Sequence, residues 1–143
     1  MQFSELPLHK SILKAIATER FHTATKVQEK AIPLVLNKKN IIVSAQTGTG
    51  KTAAFALPII QLLLEKQEEE KESKKIKSLI VTPTRELAIQ ILENFKSFSK
   101  HTTLANTAVF GGVSLEPQKE ILAKGVDVLV ATPGRLLDLM GQG

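Results

Sequence analysis

The sequence predicts an α/β domain with a mainly parallel sheet flanked by helices. Four short apolar runs, starting at Ile41, Ser78, Thr107 and Val126, alternate with stretches of helical periodicity. Their apolar residues are successive rather than alternate, as in strands covered on both faces. Each run also leads into a segment built from Gly, Pro, Thr or Arg, and open α/β sheets bind ligands beyond the carboxyl ends of their strands.

Phe3 to Glu19 places Leu6, Leu8, Ile12, Leu13, Ile16 and Ala17 at helical spacing, with Pro7 near its start. Ala24 to Leu36 is a second helix, with Thr25 as N-cap and Pro33 set to kink or divide it. The first strand follows the polar turn Asn37 to Asn40. Lys51 to Leu64 forms the next helix, with a bend expected at Pro58. Glu65 to Lys77 carries five Glu and five Lys; as the signs cancel, it reads as a solvated loop or frayed helix end. Ser78 to Thr82 is the second strand, and Thr84 to Phe98 a helix with Leu87, Ile91, Phe95 and Phe98 on one face. Thr107 to Phe110 is the third strand. Leu115 to Ala123 is a helix ended by Gly125, Val126 to Ala131 the fourth strand, and Pro133 to Met140 the last helix.

At 143 residues the chain can bury one core, and its 43% hydrophobic share is ordinary. Without cysteine it holds no disulfide or thiolate metal site, which suits a reducing, cytoplasmic setting. Met1 to Lys10 has no signal-peptide character, and the longest apolar stretch, Ala53 to Leu64, is too short and too interrupted for a membrane span. Lys and Arg number 19 against 14 Asp and Glu, a modest excess that fits a polyanion partner. Six Phe with no Trp or Tyr argue against base stacking, so nucleic acid would be held by its backbone.

The most specific stretch is Ala45-Gln46-Thr47-Gly48-Thr49-Gly50-Lys51-Thr52, between a β-branched run and a helix. That is the layout of a phosphate-binding loop: glycines let successive N–H groups face one anion, and the helix start adds its positive end. Lys51 would reach the β- and γ-phosphates, and the Thr52 hydroxyl would ligate Mg²⁺. Ala45 stands where the first glycine of the strict pattern falls.

The other strand ends carry Pro83-Thr84-Arg85-Glu86-Leu87, Gly111-Gly112 and Thr132-Pro133-Gly134-Arg135. Small residues and hydroxyls beside helix starts suit a phosphodiester backbone, which N–H groups bind without reading bases. Arg85 and Arg135 either reach phosphates or brace the loops by pairing with a carboxylate. Thr84 and Thr132, taken singly, are helix caps. Gln28 offers the donor and acceptor that match adenine, with Phe21 to pack on the ring. Taken singly, Gln28 reads as a surface residue and Phe21 as a core residue.

With these motifs in this order, the chain resembles the DEAD-box ATP-dependent RNA helicases, and specifically their first RecA-like domain, over essentially all residues from 1 to 143. In that family alanine is normal at the Ala45 position. Phe21, Thr25 and Gln28, with Phe3 upstream, match the adenine-recognising Q motif within residues 1–29. Arg20, Thr23, Ala24 and Val27 depart from its usual Gly, basic residue, Pro and Ile. The resemblance implies use of ATP and Mg²⁺, hydrolysis coupled to RNA unwinding or remodelling, and an RNA strand lying along Thr84, Arg85, Gly112, Thr132 and Arg135 with little sequence specificity.

The Asp-Glu-Ala-Asp motif, the Ser-Ala-Thr motif and a second RecA-like domain are absent from these residues. Asp127 begins the fourth strand, the wrong end to face Mg²⁺. Alone, the chain is therefore expected to bind nucleotide weakly without turning it over, and, through an exposed sheet edge or apolar face, either to self-associate or to be marginally stable.

Overall fold

A computed structural model describes residues 1–46, 48, 50–69 and 75–143. The chain divides into two compact units: Met1–Glu69 with Ser97–Thr103, and Glu70–Lys96 with Leu104–Gly143.

In the first unit, a 3-10 turn at Phe3–Glu5 precedes helices α1 (Lys10–Thr18), α2 (Lys26–Leu36) and α3 (Lys51–Glu69). The single amino-terminal helix expected from Phe3 is thus split. His9 starts α1 instead, its ring nitrogen accepting from Ser11 N at 3.2 Å. The chain before it pairs with the chain after α1, through Phe3 N to His22 O and Ala24 N to Met1 O, which buries Phe3. Pro33 and Pro58 lie inside α2 and α3 without dividing them. Both α1 and α2 pack on α3. Helix α3 continues past Leu64 to Glu69; residues 70–74 of the charged run lie outside the described residues.

Helices α1 and α2 end alike. Phe21 N bonds to Ile16 O and Arg20 N to Ala17 O; Lys39 N bonds to Leu34 O and Lys38 N to Val35 O. Each pair is a Schellman closure, which requires a left-handed residue at the turn. Arg20 and Lys38 take that conformation at φ 61° and 59°, although neither is glycine.

The run from Ile41 is not a strand. Its backbone enters no ladder, and Ile42 and Val43 are exposed. A β-branched run becomes a strand only where a neighbour supplies the hydrogen bonds, and among the described residues none does.

The second unit contains β1 (Ser78–Val81), most of α4 (Arg85–Phe98), β2 (Asn106–Val109), α5 (Leu115–Lys124), β3 (Val128–Ala131) and α6 (Pro133–Gly141). Among the described residues the sheet has three strands, all parallel, in the order β1-β3-β2. Val81, Ala131 and Val109 are in register, so the strands end level. Central β3 is buried on both faces. Leu129, Ala131 and Val109 form a cluster on one face, covered by Leu122 of α5 and Leu136 and Leu139 of α6. The expectation of two-sided burial fails for β1, where Leu79 and Val81 are 51% and 53% exposed at the sheet edge. Along α4 the buried residues are Ala88, Ile91, Phe95 and Phe98, while Leu87 is exposed. Gly125 ends α5 at φ 97°.

Candidate functional site

The candidate nucleotide residues fall in the first unit. Helix α3 begins at Lys51, as the motif requires, and Gly48 and Gly50 before it have φ 84° and 80°. Thr47 and Thr49 lie outside the described residues. Lys51 Nζ donates to Ala45 O at 2.7 Å, bridging the loop from its last turn to its first residue. An ammonium carries three N–H donors, so this bond leaves two to offer an anion.

Gln28 joins this loop to α2. Its Oε1 accepts from Thr25 N at 2.9 Å and its backbone N donates to Thr25 Oγ1 at 3.4 Å, a reciprocal capping box. Its Nε2 donates to Gly50 O at 3.2 Å. Gln28 is therefore only 6% exposed, the reverse of the surface position expected for it singly. Burial costs little here because both ends of the amide are hydrogen-bonded. One donor and one lone pair of the amide remain beyond these bonds, the pair that adenine needs. A Cβ at Gly50 would collide with Gln28 Nε2, so any other residue there would push the amide off Gly50 O.

Phe21 is also the reverse of expectation. It is 50% exposed, its ring 6.5 Å from that of Phe98. The Schellman closure of α1 fixes its backbone, and Phe98 supports one side of the ring. A cavity of about 850 Å³ runs between α2 and the extended segment, lined by Thr25, Lys30, Leu34, Ile42, Ala45 and Gly48.

The strand-end residues fall in the second unit, on three loops that start level and side by side. Thr82 N bonds to Ala131 O and Thr132 N to Val109 O, carrying the ladder one residue past the strands. Thr84 Oγ1 accepts from Leu87 N at 3.2 Å and so caps α4. Thr132 occupies the N-cap of α6, yet its hydroxyl makes no cap bond; Pro133 begins the helix. Pro83, Gly111, Gly112 and Gly134 are exposed. A Cβ would meet nothing within 4 Å at Gly111 or Gly134, so their smallness serves no contact among the described residues. Gly112, at φ 82°, has Arg85 Nη1 where a Cβ would press at 3.3 Å.

The two arginines differ. Arg85 is exposed, its guanidinium 5.3 Å from the centre of the Phe110 ring, a cation–π contact. Arg135 Nη1 donates to Gln118 Oε1 and Nη2 to Val113 O, each at 2.9 Å. Its side chain is only 11% exposed, and the nearest carboxylate, of Asp138, is 3.9 Å from Nε. Phosphate contact or carboxylate pairing was expected of it; Asp138 provides only this long ion pair, and an amide and a carbonyl accept its hydrogen bonds.

Phe110 and Gln118 were not anticipated. Gln118 had a signal: it shares a helical face with Leu115 and Leu122, and a polar residue on an apolar face needs a partner. Asp127 serves structure, accepting from Lys77 Nζ at 3.1 Å and Ala105 N at 2.9 Å before β3 begins. Among the described residues no three His, Asp or Glu side chains converge to hold a metal, and no helix is long and apolar enough to cross a membrane.

The model of the DEAD/DEAH box helicase family matches residues 25–143. This chain belongs to that family. It is 47% identical over 136 residues to the DEAD-box ATP-dependent RNA helicase RhpA of Helicobacter pylori, covering 95% of the chain and 26% of that relative. To the ATP-dependent RNA helicase RhlB of Shewanella denitrificans it is 41% identical, covering 99% and 33%. The crystal structure of a DEAD box protein from Methanococcus jannaschii superposes with a TM-score of 0.87 at 40% identity, over 100% of this chain and 38% of that one. The parallel sheet flanked by helices is thus that of DEAD-box RecA-like domains, and the chain spans about a third of the length of such relatives.

Proposed function

We propose that the chain is the nucleotide- and RNA-binding part of the first RecA-like domain, over residues 1–143, of a cytoplasmic ATP-dependent RNA helicase. Adenine lies against Phe21 and is read by Gln28. The triphosphate follows the loop Ala45, Gln46, Thr47, Gly48, Thr49, Gly50, and main-chain N–H groups at the start of α3 bind its oxygens. Lys51 holds the β- and γ-phosphates, and Thr52 supplies one Mg²⁺ ligand. Bound Mg²⁺ neutralises charge on the phosphate oxygens. An RNA backbone crosses the level strand ends over Pro83, Thr84, Arg85, Gly111, Gly112, Thr132, Pro133 and Gly134, the loop of Arg135 included.

The observation that carries the nucleotide reading is the bond from Gln28 Nε2 to Gly50 O, which ties the adenine reader to the phosphate loop. Hydrolysis needs an acid that positions Mg²⁺ and a water. Asp127 is engaged elsewhere, and Glu86, Glu116 and Asp138 sit on helices. The chain by itself therefore binds nucleotide without turnover. In the whole protein, a second RecA-like domain completes the site and couples hydrolysis to RNA unwinding. The exposed edge of β1 makes self-association of this chain the accompanying proposal.

Calorimetric titration with ADP and GDP tests the nucleotide site. Wild type should prefer ADP, Lys51→Ala should lose roughly tenfold or more in affinity for both, and Gln28→Ala should erase the preference. Equal binding of ADP and GDP by wild type, indifferent to Lys51→Ala, would remove the site.

A further inference from the structure

We propose that Gln118 and Arg135 form a clamp that sets the spacing of the loops after β2 and β3, so that Arg135 positions the RNA-binding surface without touching a phosphate. The proposal rests on the RNA reading above and assigns one of its residues a different role.

Three bonds make the clamp. Gln118 Nε2 donates to Phe110 O at 3.2 Å; its Oε1 accepts from Arg135 Nη1 at 2.9 Å; Arg135 Nη2 donates to Val113 O at 2.9 Å. Phe110 and Val113 bracket Gly111-Gly112, so the glycine pair is held at one end by the Gln118 amide and at the other by the guanidinium, and the two are bonded to each other. The amide orientation is forced by its partners, since a carbonyl only accepts and a guanidinium only donates. Gln118 is 8% exposed. Arg135 Nε is buried without a hydrogen-bond partner, the Asp138 carboxylate being 3.9 Å away. Two of the five guanidinium N–H groups are taken by these acceptors, and the side chain is only 11% exposed, so burial keeps the rest from a phosphate unless the clamp opens and leaves the buried Gln118 oxygen unsatisfied. Arg85 is the contrast: exposed, with its guanidinium over the Phe110 ring, it has its donors at the surface.

The two roles differ in salt dependence. Removing one cation that neutralises a single-strand phosphate lowers the slope of log K against log salt by about 0.7, whereas removing a positioning bond weakens binding at an unchanged slope. The experiment measures binding of fluorescent oligouridylate to the full chain across a potassium chloride series, with ADP affinity as the control for folding. Gln118→Met and Arg135→Met should each weaken RNA binding roughly tenfold. Both should leave the slope and ADP affinity unchanged, and the double variant should lose no more than either single. Arg85→Ala should lower the slope by about 0.7. Should Gln118→Met unfold the chain, Gln118→Glu retains the acceptor for Arg135 while losing the donor to Phe110 O, and an intermediate loss is expected. A reduced slope in Arg135→Met, or unimpaired binding in both Gln118 variants, overturns the clamp while leaving the RNA surface standing. If Arg85→Ala and Thr132→Val also bind like wild type, the RNA surface itself falls.

Discussion

The proposed nucleotide site and the proposed RNA surface of this chain are built on different supports. The strand-end loops of the second unit stand on three parallel strands that finish in register. The phosphate loop of the first unit has no paired strand behind it among the described residues; its described ties are Lys51 to Ala45 O and Gln28 to Gly50 O. A sheet fixes many backbone groups at once, whereas a side-chain tie contributes only about 1 kcal/mol net. This phosphate loop therefore depends on individual side chains, and the strand-end loops tolerate more.

Glycine substitutions should separate the two supports most strongly. Gly50→Ala drives a Cβ into Gln28 Nε2 at a position with φ 80°. Positive φ costs an alanine about 1–2 kcal/mol, and Gln28 must give up Gly50 O as well. We expect lower thermal stability and a fall in ADP affinity of roughly 100-fold. Gly111→Ala meets nothing within 4 Å and should change thermal stability by less than about 0.5 kcal/mol. Comparable losses of stability in the two variants would refute the contrast.

A smaller effect is expected at the open edge of the sheet. Leu79 and Val81 lie beside Leu129 and Ala131 in register, yet α5 and α6 cover the cluster of Leu129, Ala131 and Val109 and leave the β1 pair exposed. Exposed apolar edge strands template association, and lysine blunts them. Sedimentation of the wild type should therefore show concentration-dependent association that Leu79→Lys with Val81→Lys abolishes. Identical monomer profiles for both proteins at high concentration would sink this expectation.

The sheet and the loop motifs were legible because both depend on local pattern: β3 reads as a continuous apolar run, and Lys51 falls where a helix must begin. The failures share a cause. The run from Ile41 has strand composition, but pairing is a property of neighbours. Gln28 and Phe21 exchanged burial because the setting of each is decided by backbone partners, Thr25 and Gly50 for the amide, Ile16 for the turn that carries the ring. For Gln28 a signal was present: Thr25-Lys26-Val27-Gln28 is a capping-box sequence, and its reciprocal bonds predict a half-buried amide. Gln118 was legible as a polar residue on an apolar face; its link to Arg135 was not, because the two are joined only through the fold.

The smallest expected effect separates the units at their helix ends. In the second unit α5 ends on Gly125 at φ 97°. In the first, α1 makes its left-handed turn with Arg20 at φ 61°. A non-glycine residue there costs about 1–2 kcal/mol, and glycine would return roughly half through its greater freedom in the unfolded chain. Arg20→Gly should therefore stabilise the first unit by about 0.5–1 kcal/mol, a rise of roughly 2–3 °C in melting temperature. Phe21 follows directly, so a better-formed turn should also hold its ring more firmly and leave ADP affinity equal or higher. A lower melting temperature would mean that the Arg20 side chain packs to an extent that outweighs its backbone strain.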